Sequence, residues 1–323
     1  MKKILMNDRG VALILVILMI SIIVAITLQL NLASRSGIYE AANLGDGIRA
    51  THVAKSGFCM GETLLSEDKN DLDSLNEDWA ESELLSAGSG VLFDKGHFRL
   101  HIEDESGRIP INKLVNSINY NDKIKNLLIR FLSLPEFGLD EQRVRDIVYA
   151  VKDWIDEDDE TTGFGAEDMY YEGLEDPYAC KNAPLDCIEE LLMVKGITEN
   201  LYYGTDETPG IAEYFTLYGE GKININTSSI LILKALSDEI TDEMASDMDE
   251  FRRNEENHLS EPAWYKNIPG MAGIIIDPGL ITTKSNIFRI ISTGYLNDVS
   301  RRVLGVIERN SDGMVKRLFW RVN

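Results

Sequence analysis

The residues best suited to chemistry lie between Asp153 and Asp168, in DWIDEDDETTGFGAED, where eight carboxylates fall within sixteen positions. At that density like charges repel unless water or a cation screens them, and hard oxygen ligands of this kind suit calcium. Counted from Asp156, carboxylates occupy positions 1, 3, 5 and 12, the spacing of an EF-hand, but position 6 is Thr161 where that loop needs glycine. The stretch is therefore not a standard EF-hand. On the residues alone two readings stay open, a solvated acidic loop and a loop ordered around an ion. Gly163, Gly165 and the flanking Trp154, Tyr170 and Tyr171 point to order. The expected ligands come from Asp153, Asp156, Asp158, Asp159, Glu167 and Asp168.

Other constellations are weaker. Cys180 and Cys187 share a local segment, and in an oxidising compartment they would close a short loop if their geometry permits a disulfide. A zinc pair there lacks a second thiol or histidine pair nearby. His97 and His101 have no adjacent third ligand. The segment from Val194 to Ile197, VKGI, resembles the hairpin of helix-hairpin-helix DNA-binding modules, where amides and helix N-termini hold phosphates. Here Glu189, Glu190 and Glu199 surround it, so a packing role is expected and no nucleic acid. There is no HExxH, no GxSxG and no complete P-loop, and a calcium-dependent hydrolase would need a carboxylate pair facing a pocket. The expectation is a non-enzyme with no catalytic residues.

Composition narrows the partners. The 323 residues carry 54 acidic against 32 basic side chains, a net charge of -22 that disfavours phosphate backbones and anionic lipid surfaces. A hydrophobic fraction of 44% is enough for real cores.

Three kinds of segment must position the acidic run. From Val11 to Ser34 no residue is charged, and a helix of that length crosses a hydrocarbon core of about 30 Å. Lys2, Lys3 and Arg9 precede it against a single Asp8, which keeps that end cytoplasmic and sends the remainder outward. Helical composition continues to Leu65, although Gly37, Gly45, Gly47, Gly57 and Gly61 each weaken a helix by about 1 kcal/mol. Residues 66–90 are polar, and SAGSG at their end reads as a flexible linker.

In GHFRLHIED the alternation places Phe98, Leu100 and Ile102 on one face of a strand. Helical patterns dominate 109–280, and strands return in NIFRIISTGYL, VSRRVLGVIERN and KRLFWRV as an antiparallel meander. Within the helical region GRIPIN and GKININ repeat before a helix, which suggests two lobes with the asparagine, or Thr227 or Ser228 in the second, capping the helix that follows.

The fold class is thus α+β: a pilin-like long N-terminal helix plus an antiparallel sheet, with a large inserted all-helical domain. The expected divisions are a leader at 1–10, a transmembrane and stalk helix at 11–65, a first part of the α+β module at 66–108, the insert at 109–280 and the closing strands at 281–323.

Basic residues, then Arg9-Gly10, then VALIL resemble a type IV prepilin leader. That resemblance implies cleavage by a prepilin peptidase between Gly10 and Val11, with methylation, and retention of the apolar helix in a bacterial inner membrane. An uncleaved signal anchor is the simpler alternative. The leader, GRIPIN, DWIDEDDETTGFGAEDMYY, PLDCIEELLMVKGI, KININT and the C-terminal strands together resemble the general secretion pathway protein K family, the large minor pseudopilins of type II secretion systems. The resemblance implies a single-pass protein with its C-terminal region in the periplasm, residence at the fibre tip with other minor pseudopilins, and calcium in the helical domain. Pilin-like proteins mostly carry glutamate at the fifth mature position; here it is Leu15, which fits a topmost subunit. The alternatives are a related type IV minor pilin and a membrane-anchored helix-hairpin-helix DNA-binding protein.

Overall fold

The computed structural model describes residues 8–310 and 312–323; most of the expected leader, residues 1–7, lies outside them. Helix α1 runs unbroken from Asp8 to Glu67, 60 residues or about 90 Å, straight through Gly10 and Val11. Its first half is exposed on every side and contains a stretch with mean hydropathy 3.3, long and apolar enough to cross a membrane. Beyond Leu44 one stripe becomes buried, at Ala50, Val53, Ala54, Phe58 and Leu65, the spacing of a helix lying on a sheet.

The glycines that weaken α1 as an isolated helix serve this contact. A Cβ on Gly57 would stand 2.3 Å from Ser292 Oγ and 2.6 Å from the Phe98 ring. A Cβ on Gly294 would stand 2.2 Å from the Ala50 carbonyl oxygen. Close approach therefore outweighs helix propensity, and the helix persists because packing supplies what propensity lacks.

The sheet beneath α1 has the order β1-β8-β9-β10, all antiparallel, built from β1 (His97–Asp104), β8 (Ile287–Leu296), β9 (Val299–Arg309) and β10 (Val315–Val322). Phe98, Leu100 and Ile102 are buried against α1 as their alternation predicts. The polar segment before β1 is not a free linker. Helix α2 (Ser82–Ser86) and the 3-10 turn Ser89–Leu92 lie along the outer edge of β1. The hydroxyls of Ser82, Ser86 and Ser89 accept the N–H groups of Ile102, Leu100 and Phe98 at 3.0–3.1 Å. The serines in SAGSG and just upstream replace a neighbouring strand, so the linker expectation is corrected: those hydroxyls satisfy buried amides.

Between β1 and β8 the chain builds a second body with its own core, from Ile109 to Ile281, separate from the core of α1 and the sheet. Its first lobe opens with β2 (Ile109–Pro110), the small hairpin β3 (Val115–Asn116) and β4 (Asn119–Tyr120), and helices α3 (Asp122–Leu132) and α4 (Glu141–Ile155). Short helices α5 (Asp168–Tyr171) and α6 (Glu199–Tyr203) follow, and β5 (Phe215–Thr216) closes the lobe by pairing in parallel with β2. The second lobe repeats the plan with β6 (Ile223–Asn224), α7 (Ile230–Ala235), α8 (Asp242–Arg253) and β7 (Ile281–Thr282), parallel to β6. Short strands and 3-10 turns thus share a region expected to be all helical, and PLDCIEELLMV forms only the 3-10 turn Ile188–Met193.

The asparagines of the repeat are not helix caps. Asn121 and Ser229 stand at the N-termini of α3 and α7. Asn112 instead exchanges two hydrogen bonds with the Leu185 backbone, at 2.8 and 3.0 Å. Asn226 donates to the Leu259 carbonyl and accepts from Trp264 Nε1. A side-chain amide carries donor and acceptor together, so one asparagine can pin a loop that lies across each lobe.

A buried polar cluster joins the two bodies. Asp104 Oδ2 accepts from Asn224 Nδ2, Thr227 Oγ1 and Ser285 Oγ. Glu105 is paired with Arg108 and Arg289 and accepts from Thr216 Oγ1.

Candidate metal centre

Helix α4 ends in the acidic run. Its spacing puts Asp153 and Asp156 on one side of the last turn, and the loop that follows returns through Gly165 and Ala166 to bring Glu167 against them. Oxygens of Asp153, Asp156 and Glu167 lie within 4.8 Å of one another, and all three residues are buried. Two glycines permit the return. Gly163 has φ +57°, and a Cβ on Gly165 would stand 2.0 Å from Asp153 Oδ2. Thr162 N–H donates to both Asp153 oxygens at 3.1 Å and fixes that carboxylate.

The other three expected ligands lie outside this trio. Asp158 Oδ1 accepts from the Glu160 amide at 2.8 Å, Asp159 Oδ1 from Asn182 Nδ2 at 3.0 Å, and Asp168 Oδ1 from the Cys180 amide at 2.6 Å. They tie the loop to itself and to the segment around residue 180.

Burial raises the carboxyls of the trio. Burial pushes the Glu167 carboxyl up to about 8, with the neighbouring Asp153 charge adding to it. Burial also raises Asp153 and Asp156. Lys152 supplies one positive charge, paired with Asp156 Oδ2. Asp156 Oδ1 and both oxygens of Glu167 remain buried with no hydrogen-bond partner. Unpartnered hard oxygen donors around a carboxylate trio fit a calcium-like ion. Asn182, held at φ +48°, ties this part of the chain to the acidic loop through its bond to Asp159.

A second trio, Asp68, Asp73 and Glu77, has comparable spacing but different chemistry. Arg309 pairs with Asp68 and Asp73, the Ser285 amide donates to Asp73, and Ser74 N and Trp79 Nε1 donate to Glu77. A guanidinium already occupies the place an ion would take.

The expected disulfide is not formed, because the two thiols point in different directions. Cys180 is buried, its Sγ donating to the Asp153 carbonyl at 3.4 Å, and burial pushes its thiol up to about 12. Cys187 is exposed beside Glu190, at the start of the 3-10 turn. The VKGI hairpin packs beneath the acidic loop: Val194 and Ile197 are buried, and Lys195 Nζ donates to the carbonyls of Phe164 and Gly165 at 3.0 Å. Its one basic side chain is turned into the protein. His101 bridges Glu83 and Glu103, while His97 stacks on Tyr295, so those histidines share no ligand.

Residues 107–204, which hold this centre, match the family model described as type II secretion system (T2SS), protein K. Type II secretion system protein K of Pseudomonas aeruginosa is 27% identical over 321 residues, covering 96% of this chain and 91% of that protein. The protein K of Aeromonas hydrophila is 23% identical, with 97% of each chain covered. A chain of the crystal structure of the GspK-GspI-GspJ complex from enterotoxigenic Escherichia coli has the same fold, with a TM-score of 0.63 at 20% identity over 90% of this chain and 99% of that one. In sequence over nearly its whole length, and in fold, the chain is similar to protein K of type II secretion systems, and the similarity supports a minor pseudopilin role.

Proposed function

We propose that this protein is a non-enzymatic subunit at the tip of the type II secretion pseudopilus, where it helps initiate a fibre used to export folded proteins. Prepilin peptidase cuts between Gly10 and Val11, the new amine is methylated, and α1 stays in the inner membrane with the rest of the chain in the periplasm. Its partners are other minor pseudopilins, counterparts of the GspI and GspJ that accompany GspK in the solved complex. The observation that carries this reading is α1 itself. One stripe of its upper half is buried on the sheet while Val11 to Leu44 is exposed all round, a surface suited first to lipid and then to neighbouring helices in a fibre.

Within the first lobe, the reading includes calcium held by Asp153, Asp156 and Glu167. The ion would neutralise the trio and lock the loop. Co-purification of the detergent-solubilised full chain with the other minor pseudopilins tests the assembly role. Recovery of monomer alone, under conditions where those proteins associate with one another, overturns it.

A further inference from the structure

The sheet has two edges, and the chain treats them differently. On β1 the outward amides of Phe98, Leu100 and Ile102 are taken by the hydroxyls of Ser89, Ser86 and Ser82, so that edge is closed. On β10 no described strand pairs with the outer edge. Arg302 and Asn323 exchange both backbone hydrogen bonds, so by antiparallel alternation the backbone groups of Val322 and Trp320 point outward. Open edges of this kind are templates for a further strand.

Side chains on β10 narrow what can pair there. The strand carries Lys316, Arg317 and Arg321 and no acidic residue; Arg317 is paired with Glu62 of α1, so the charge offered to a partner is that of Lys316 and Arg321. A second copy pairing antiparallel through β10 would bring these cations opposite one another, which is destabilising. An acidic strand meets complementary charge instead. The register shift between Arg317 and Phe319 interrupts the ladder and leaves a regular run from Phe319 to Val322, so the partner strand is short. Exposed Leu318, Phe319 and Val322 give that strand apolar contacts as well. Trp320 is anchored from behind by the Phe58 ring of α1 at 4.5 Å, so the edge is held rigid.

We infer that β10 is a docking edge to which another minor pseudopilin adds a short acidic strand in antiparallel or parallel pairing. The inference rests on the assembly role proposed above and specifies one contact within it.

The test uses the full chain in detergent, co-expressed with the other minor pseudopilins. Val322→Pro removes an outward N–H, and Lys316→Glu with Arg321→Glu reverses the charge of the edge. Each variant is expected to lower partner recovery by about tenfold, with the thermal midpoint of the isolated chain unchanged. In the wild-type complex the Trp320 and Val322 amides should gain protection from hydrogen exchange. If the wild-type chain captures its partners, both variants capture them equally and those amides gain nothing, the docking edge is overturned while the assembly role stands. If the wild-type chain captures none, both fall together.

Discussion

Lys152 on the last turn of α4 and Asp156, the residue that follows the helix, stand four residues apart, and the lysine ammonium meets Asp156 Oδ2 while Oδ1 of the same carboxylate stays buried without a partner. The same ammonium lies 4.0 Å from Asp153 Oδ1, so one cation faces two of the three carboxylates. Calcium at about 100 times its dissociation constant should stabilise the protein by about 2.7 kcal/mol, read as a higher thermal midpoint that a chelator reverses. Because burial holds Glu167 at about 8, it is largely protonated at neutral pH in the ion-free protein. Glu167→Gln should therefore leave the ion-free midpoint nearly unchanged and abolish the calcium response. A calcium response that survives in the variant removes Glu167 from the ligand set.

Gly57 and Gly45 lie on the same helix but should respond oppositely to alanine. At Gly45 a Cβ meets nothing within 4 Å, so Gly45→Ala should stabilise the helix by about 0.5–1 kcal/mol. At Gly57 the added carbon meets the Phe98 ring and Ser292 Oγ, so Gly57→Ala should destabilise by about 1–3 kcal/mol despite better helix propensity. Urea unfolding of the two variants gives the comparison.

Glu103 sets a pH dependence with a definite sign. Burial alone would raise its carboxyl, but the hydrogen bond to His101 and the Arg108 guanidinium outweigh burial and hold it at about 2. A carboxylate depressed in the folded state contributes stability that is fully present above its unfolded value of 4.5 and is lost as pH falls towards 2. Glu103→Gln should therefore destabilise at pH 7 and have a much smaller effect near pH 2. Chemical denaturation at the two pH values would reveal an equal effect at both if the ion pairs contribute nothing.

Leu15 is exposed on the apolar half of α1, the part proposed to lie in the membrane. In a fibre, a glutamate at this position would partner the buried amine of a neighbouring subunit, because an unpaired charge is costly in lipid. Leu15→Glu should leave leader cleavage intact and disturb tip placement. Normal secretion together with normal tip position in that variant would count against the topmost position.

Local patterns were legible in the chain itself. The uncharged run from Val11 to Ser34, the alternation in β1 and the closing strands each follow from a period of 3.6 or 2, and each element stands where the period puts it. The acidic loop was visible too, as a density of charge between two aromatic flanks. Such features depend on residues close in sequence, where the backbone geometry alone decides which side chains share a face.

Relations between distant residues were decided only by the tertiary structure. Composition could not say that Asp153, Asp156 and Glu167 converge while Asp158, Asp159 and Asp168 turn to backbone and amide partners, because the return of the loop depends on the space left at Gly165. It could not separate that trio from Asp68, Asp73 and Glu77, whose cation arrives from Arg309 at the far end of the chain. Nor could spacing show that Cys180 is turned inward to Asp153 and away from Cys187, or that Ser82, Ser86 and Ser89 close one edge of the sheet and leave β10 open. Sequence determined which groups were available, since propensity and charge are local. Which of them met was set by packing, since burying a polar atom is costly unless the fold also brings it a partner.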